Sequence, residues 1–107
     1  MWHITKDNAQ RALQQAASLP FIKLMEHGTM SIEYYAPVLI DKQTPHRQDE
    51  LYIIAKGSGT FYRGGERIPF GENDVLFVPA GMEHRFEGFT VDFATWVIFY
   101  GADGGES

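Results

Sequence analysis

The feature that most constrains this chain is its punctuation. From Phe21 to Gly101 apolar and polar residues alternate in short runs, and glycine, proline or asparagine interrupts each run. Met30, Ile32, Tyr34 and Ala36 alternate with Ser31, Glu33 and Tyr35. That period of two puts successive side chains on opposite faces of a strand. The pattern predicts strands over 21–26 and 29–36, joined by a tight turn at His27-Gly28. It predicts further strands over 51–55 and 59–63, broken by Gly57 and Gly59. Gly64-Gly65 then turns the chain into 66–69, and 74–78, 83–87 and 91–100 complete the set. Short strands at this spacing bury their apolar faces only as a sandwich or barrel.

The N-terminal segment has a different period. Ala9, Ala12, Leu13, Ala16 and Ala17 fall at helical spacing and predict a helix over 7–18, packed outside the strands. Asp7, with Gln10 three residues on, has the form of a capping box, and Pro20 stops the helix. Residues 102–107, ADGGES, read as a loose tail. A chain of 107 residues supports one domain with one core, so the domain is taken as 1–107.

Charge and cysteine content narrow the function. A net charge of −5 and the absence of a basic run argue against a nucleic-acid partner. The chain has no cysteine, so disulfides and thiolate ligands are excluded, and a cytoplasmic setting is the expectation. No apolar run reaches membrane-spanning length and no signal-peptide core is present, so no membrane partner is expected.

The residues that carry chemistry lie in two stretches, PHRQDELYIIAKGSG at 45–59 and PAGMEHRF at 79–86. They offer His46, Gln48, Glu50 and His84. Two imidazoles and a carboxylate brought together across a small β-fold form the protein half of a divalent metal site. By alternation His46, Gln48 and Glu50 share one strand face, and Gln48 has an amide oxygen to offer. The competing readings are a turn histidine bonded to backbone at His84, a solvent-facing amide at Gln48 and an ordinary exposed acid at Glu50. His27, at a turn, and His3, near the terminus, read as ordinary surface residues. Tyr34, Tyr52 and Tyr62 are candidates to line a pocket. Arg47, Arg63 and Arg85 flank the site in sequence, each a candidate partner for an anionic substrate or a solvated strand residue.

These stretches resemble the two motifs of the cupin family. The first motif runs, loosely, H-x-H, a few residues, E, six residues, then G; Glu50 and Gly57 keep its final spacing. The second runs P-x-G-x-x-H, matched by Pro79, Gly81 and His84. Asp74 sits where the family's G-D turn ends, with Asn73 in place of the glycine. The resemblance runs from about Val38 to Phe99, and one of the family's usual histidines is missing. Counted back from Glu50, His46 takes the second histidine's place and Thr44 replaces the first; counted forward, His46 is the first and Gln48 replaces the second.

The resemblance implies a double-stranded β-helix, or jelly-roll barrel. It implies a divalent metal ion, of iron, manganese, nickel or zinc, held by His46, Glu50 and His84 with Gln48 as a further candidate. It allows isomerases, dioxygenases, decarboxylases and sugar-binding proteins without choosing among them, and a metal-dependent enzyme acting on a small sugar or organic acid, of isomerase or dioxygenase type, is the first expectation. The missing histidine keeps open a non-catalytic module that binds or senses a small ligand, and a barrel kept only for partner binding. A homodimer is also expected, with 21–26 and 29–36 pairing across a two-fold axis.

Overall fold

A computed structural model describes residues 2–16 and 19–106. One helix, α1 (Lys6–Gln15), precedes eight strands: β1 (Phe21–His27), β2 (Met30–Tyr35), β3 (Asp49–Lys56), β4 (Gly59–Arg63), β5 (Glu66–Phe70), β6 (Val75–Val78), β7 (His84–Glu87) and β8 (Ala94–Tyr100). They form a five-stranded sheet ordered β1-β2-β8-β3-β6 and a three-stranded sheet ordered β5-β4-β7. The pairings are antiparallel. The strands fall where the glycine punctuation places them, because each turn needs a backbone that side chains resist. Gly28 in the β1–β2 turn, for example, sits at φ +58°.

The two sheets face one another over an aromatic core. Tyr52 and Ile54 of β3, Phe61 of β4, Phe86 of β7 and Val97 of β8 are buried there, with Phe70 and Phe93. Phe86 lies 4.9 Å from the ring centroids of both Tyr52 and Phe61 and 4.7 Å from that of Phe93. Such tilted and edge-on contacts bind the sheets more specifically than area alone.

The second, outer face of the larger sheet carries α1. Ala9 packs there with Leu13 and Ile4 against Tyr34, Ile22, Leu24 and Ala94. Tyr34 and Tyr35, neighbours on opposite faces of β2, are therefore both buried, one beneath the helix and one in the barrel.

Two sequence expectations are corrected at the chain ends. The helix starts at Lys6 and is capped by Thr5, not Asp7: the Asn8 amide donates to Thr5 Oγ1 at 3.0 Å, and the Thr5 amide donates to Asn8 Oδ1 at 3.4 Å. Thr5 is extended, as a capping residue must be, which leaves Asp7 in the first turn beside the positive end of the helix dipole. The helix ends at Gln15; positions 17 and 18 of the expected span lie outside the described residues. The tail, expected to be loose, folds back. The Gly104 amide donates to the Arg47 carbonyl at 2.7 Å, and the Glu106 amide donates to Asp49 Oδ2 at 2.8 Å. Gly104 and Gly105, both at φ +90°, permit that reversal.

Candidate metal centre

The site arises where the two sheets approach. Along β3 the inward positions are Glu50, Tyr52 and Ile54, all buried. β6 pairs with β3 up to Val78 opposite Glu50. Pro79 then ends the strand, and the chain crosses to the smaller sheet and enters β7 at His84. The crossing is fixed to the first motif by two hydrogen bonds. The Ala80 amide donates to Asp49 Oδ1 at 2.9 Å, and the Gly81 amide donates to the His46 carbonyl at 2.8 Å. Gly81 is at φ +79°, which a side chain would resist. Hydrogen bonding between the motifs thus sets His46 and Glu50 against His84.

The three ligand-type side chains converge. His84 Nε2 lies 3.0 Å from Glu50 Oε1, and His46 Nε2 lies 4.0 Å from the same oxygen. One ligand atom from each of the three falls within 4.8 Å of the others. The other ring nitrogen of His84, Nδ1, lies 2.9 Å from the Met82 carbonyl and donates to it, leaving Nε2 bare on the site side. His46 Nε2, Glu50 Oε2 and His84 Nε2 are all buried without a hydrogen-bond partner. His84 Nε2 and Glu50 Oε1 are close enough to bond but not aligned to do so.

A carboxylate only 1% exposed, with one oxygen unsatisfied and the other beside two unsatisfied imidazole nitrogens, is costly unless a cation joins them. Burial pushes His46 below its ordinary pKa, opposed by the Glu50 carboxylate and aided by His84. Burial also works against the charged form of His84, but the Glu50 carboxylate and the Met82 carbonyl outweigh it and raise that pKa. The two rings are therefore inequivalent.

A supporting layer holds the loop that delivers His46. Asp41, buried, accepts from the Tyr35 hydroxyl, from the Gln43 amide at 3.0 Å, from Gln43 Nε2 at 2.8 Å and from the Phe86 amide at 2.8 Å. Gln43 Oε1 in turn accepts from the Tyr52 hydroxyl at 2.7 Å. A cavity of about 350 Å³ opens beside His46, with Glu33, Tyr35, Lys42, Gln43 and Phe99 in its walls. The sequence reading did not single out Asp41, Glu33, Lys42 or Gln43. Asp41 and Gln43 lie in an irregular segment with no periodicity, so nothing local marked them.

The structure separates the other sequence candidates. Gln48 does not share a strand face with His46 and Glu50, because β3 begins at Asp49. Its Nε2 donates to the carbonyls of Thr29 at 2.8 Å and Gly101 at 2.9 Å, tying the β1–β2 turn to the end of β8. Thr44 instead lines the cavity with His46, which favours the count that puts His46 in the second histidine's place. Arg63 donates to the Phe77 carbonyl at 2.8 Å. Arg85 pairs with Glu83 and Glu87 and lies over the Tyr62 ring. Tyr34 lies under the helix, while Tyr52 stands between His84 and the core.

Fold and site together define a small jelly-roll barrel with a histidine–carboxylate cluster between its sheets. A family model described as the Cupin domain matches residues 32–98. An uncharacterized protein of Streptomyces coelicolor is 33% identical over 93 residues, covering 85% of this chain and 86% of its own. The chain belongs to the cupin family. Among solved structures it is similar to a cupin 2 conserved barrel domain protein from Salinispora arenicola (TM-score 0.64, 22% identity, 77% of this chain and 75% of the other). It is also similar to a candidate mannose-6-phosphate isomerase from Ralstonia eutropha (TM-score 0.65, 23% identity, 77% of this chain and 83% of the other). Both likenesses concern the fold.

Proposed function

We propose that this protein is a metal-dependent cupin in which His46, Glu50 and His84 hold one divalent ion and the adjoining cavity takes a small oxygenated molecule, a sugar or an organic acid. The observation that carries the reading is the convergence of three buried, unpartnered ligand atoms. This reading leaves Gln48 out of the ligand set, since its Nε2 is held by the carbonyls of Thr29 and Gly101, outside β3. Two imidazoles and one carboxylate leave coordination positions open and suit iron, manganese, nickel or zinc. Bound there, such an ion would polarise a substrate oxygen or, if redox-active, support dioxygen chemistry.

The chain's own groups supply the rest. Met82 holds His84 in the tautomer that presents Nε2. Phe99, edge-on to His46 at 4.9 Å, and Val97 keep the inner cavity apolar. Glu33 lines the same cavity; burial raises its pKa, with Lys23 lowering it and Glu50 raising it further. A carboxyl so placed is suited to move a proton to or from a bound substrate, which favours an enzyme over a binding module. The second reading, a non-catalytic binding module, draws on Thr44 standing where the count places a family histidine.

Elemental analysis of protein purified without chelator tests the centre. His84→Ala should abolish stoichiometric metal, while His27→Ala, at the β1–β2 turn, should leave it unchanged. Equal metal content in the wild type and a His46→Ala/His84→Ala variant would overturn the reading.

A further inference from the structure

A second hollow adjoins the cavity beside His46. The outer chamber, of about 400 Å³, shares Pro20, Tyr35 and Lys42 with the inner one. The two chambers differ in chemistry. The inner one has His46, Glu33, Gln43 and Thr44 at its polar end. The outer one is walled by Leu19, Ala36, Pro37, Val38 and Ile40, and Lys42 is its one charged residue among the described residues.

The outer wall is a built feature. Val38, Leu39 and Ile40 are 80%, 92% and 62% exposed, three consecutive large apolar residues at one loop tip. Single exposed apolar side chains are ordinary, but a contiguous group beside a cavity marks a binding surface. The tip is held in a tight three-residue turn. The Ile40 amide donates to the Val38 carbonyl at 2.7 Å, and Leu39 sits at φ +66°, a conformation that bulky residues resist. The next residue is Asp41, whose carboxylate fixes the loop to Tyr35, Gln43 and Phe86. The loop is thus anchored at the base and shaped at the tip so that Val38 and Ile40 border the outer chamber.

We infer that the two chambers form one site for an amphiphilic acid, with its oxygen-bearing head between the His46–Glu50–His84 cluster and Lys42 and its aliphatic tail along Leu19, Pro37, Val38 and Ile40. The inference deepens the metal-centre reading and rests on it for the head group. Lys42 supplies the complementary charge, being the one Lys or Arg among the described residues in the walls of either chamber. The tail requirement rests on the three wall residues that the chambers share and on the apolar outer wall.

The test is calorimetric titration of zinc-loaded protein with straight-chain 2-oxo acids, from 2-oxobutanoate to 2-oxodecanoate. Affinity should rise about two- to fourfold per added methylene until the chain outgrows the shelf. Val38→Ser/Ile40→Ser should keep the metal and the affinity for the shortest acid but lose the dependence on chain length. Lys42→Ala should weaken every member by a similar factor. A flat series in the wild type, or an unchanged slope in the Val38→Ser/Ile40→Ser variant, would overturn the inference. So would a variant that halves the particle mass with the ligand series intact, since the shelf would then be a contact between copies. Repeating the series on zinc-free protein separates the two readings. A slope that persists while wild-type protein binds no zinc at all refutes the metal centre and leaves the apolar shelf standing.

Discussion

The residue that best shows how this site is supported is Asp41, which is not a ligand. Its carboxylate accepts from three different residues of the barrel and loop, Tyr35, Gln43 and Phe86, and so anchors the irregular segment that ends at His46. Burial, with the Asp41 carboxylate beside it, raises the pKa of the Tyr35 hydroxyl, which therefore stays a donor. Asp41→Ala leaves buried donors unpaired and should lower stability by about 2–4 kcal/mol, read from the urea midpoint. The same variant should weaken metal retention, since His46 loses its anchored loop.

The histidines set the pH response. Without metal their shifts oppose one another. His84, with its pKa raised, contributes stability below its unfolded value that is lost as pH rises through its folded value. His46, with its pKa lowered, favours the neutral ring, so its contribution improves as pH rises through the window between its folded and unfolded values. Metal requires both rings neutral. The thermal stabilisation on adding zinc should therefore be small near pH 5 and grow as pH passes the ordinary histidine value of about 6.5. A metal-induced shift in melting temperature that is flat across that range would exclude imidazole ligation.

At the scale of elements, the turns decide the register. Gly57, between β3 and β4, sits at φ +84°, and a Cβ there would meet Phe93 Cα at 2.8 Å and Phe93 N at 3.1 Å. Both faults are backbone faults, which side-chain repacking does not relieve. Gly57→Ala should destabilise by about 2–3 kcal/mol with the strand content kept, measured by denaturant titration and circular dichroism. Gly65→Ala is the control, because Gly65 has a similar φ of +93° but open space around it. The difference between the two variants reports the close approach of the Phe93 backbone together with the Thr90 hydroxyl.

At the scale of the whole molecule, the larger sheet is apolar on both faces. Register aligns Met25, Ile32, Ile98, Leu51 and Phe77 in one row across all five strands of its outer face. Among the described residues α1 packs at the β1–β2 end of that face, while Phe77 and Val75 at the other end are 42% and 62% exposed. We propose that a second copy covers this surface about a two-fold axis, continuing to the free edge of β1. Light scattering should report a dimer at micromolar concentration, and Leu51→Glu/Phe77→Glu should yield a folded monomer. A monomeric wild type refutes the proposal.

The sequence by itself determined the strands, their turns and the three residues of the histidine–carboxylate cluster as candidates, with Gln48 beside them. Period-two alternation and glycine placement are local, and so are the spacings Glu50–Gly57 and Pro79–Gly81–His84. It also led to one barrel with an outer helix, because amphipathic strands and a helix of this size have few other ways to bury their apolar faces. Only the tertiary structure showed that Thr44 lines the cavity while Gln48 Nε2 is tied to distant backbone. That distinction depends on Thr29 and Gly101, which lie 19 and 53 residues from Gln48 and offer it their carbonyls. Asp41, the docked tail and the paired chambers became visible for the same reason: each is made of contacts between distant segments, whose geometry exists only once the two sheets have closed.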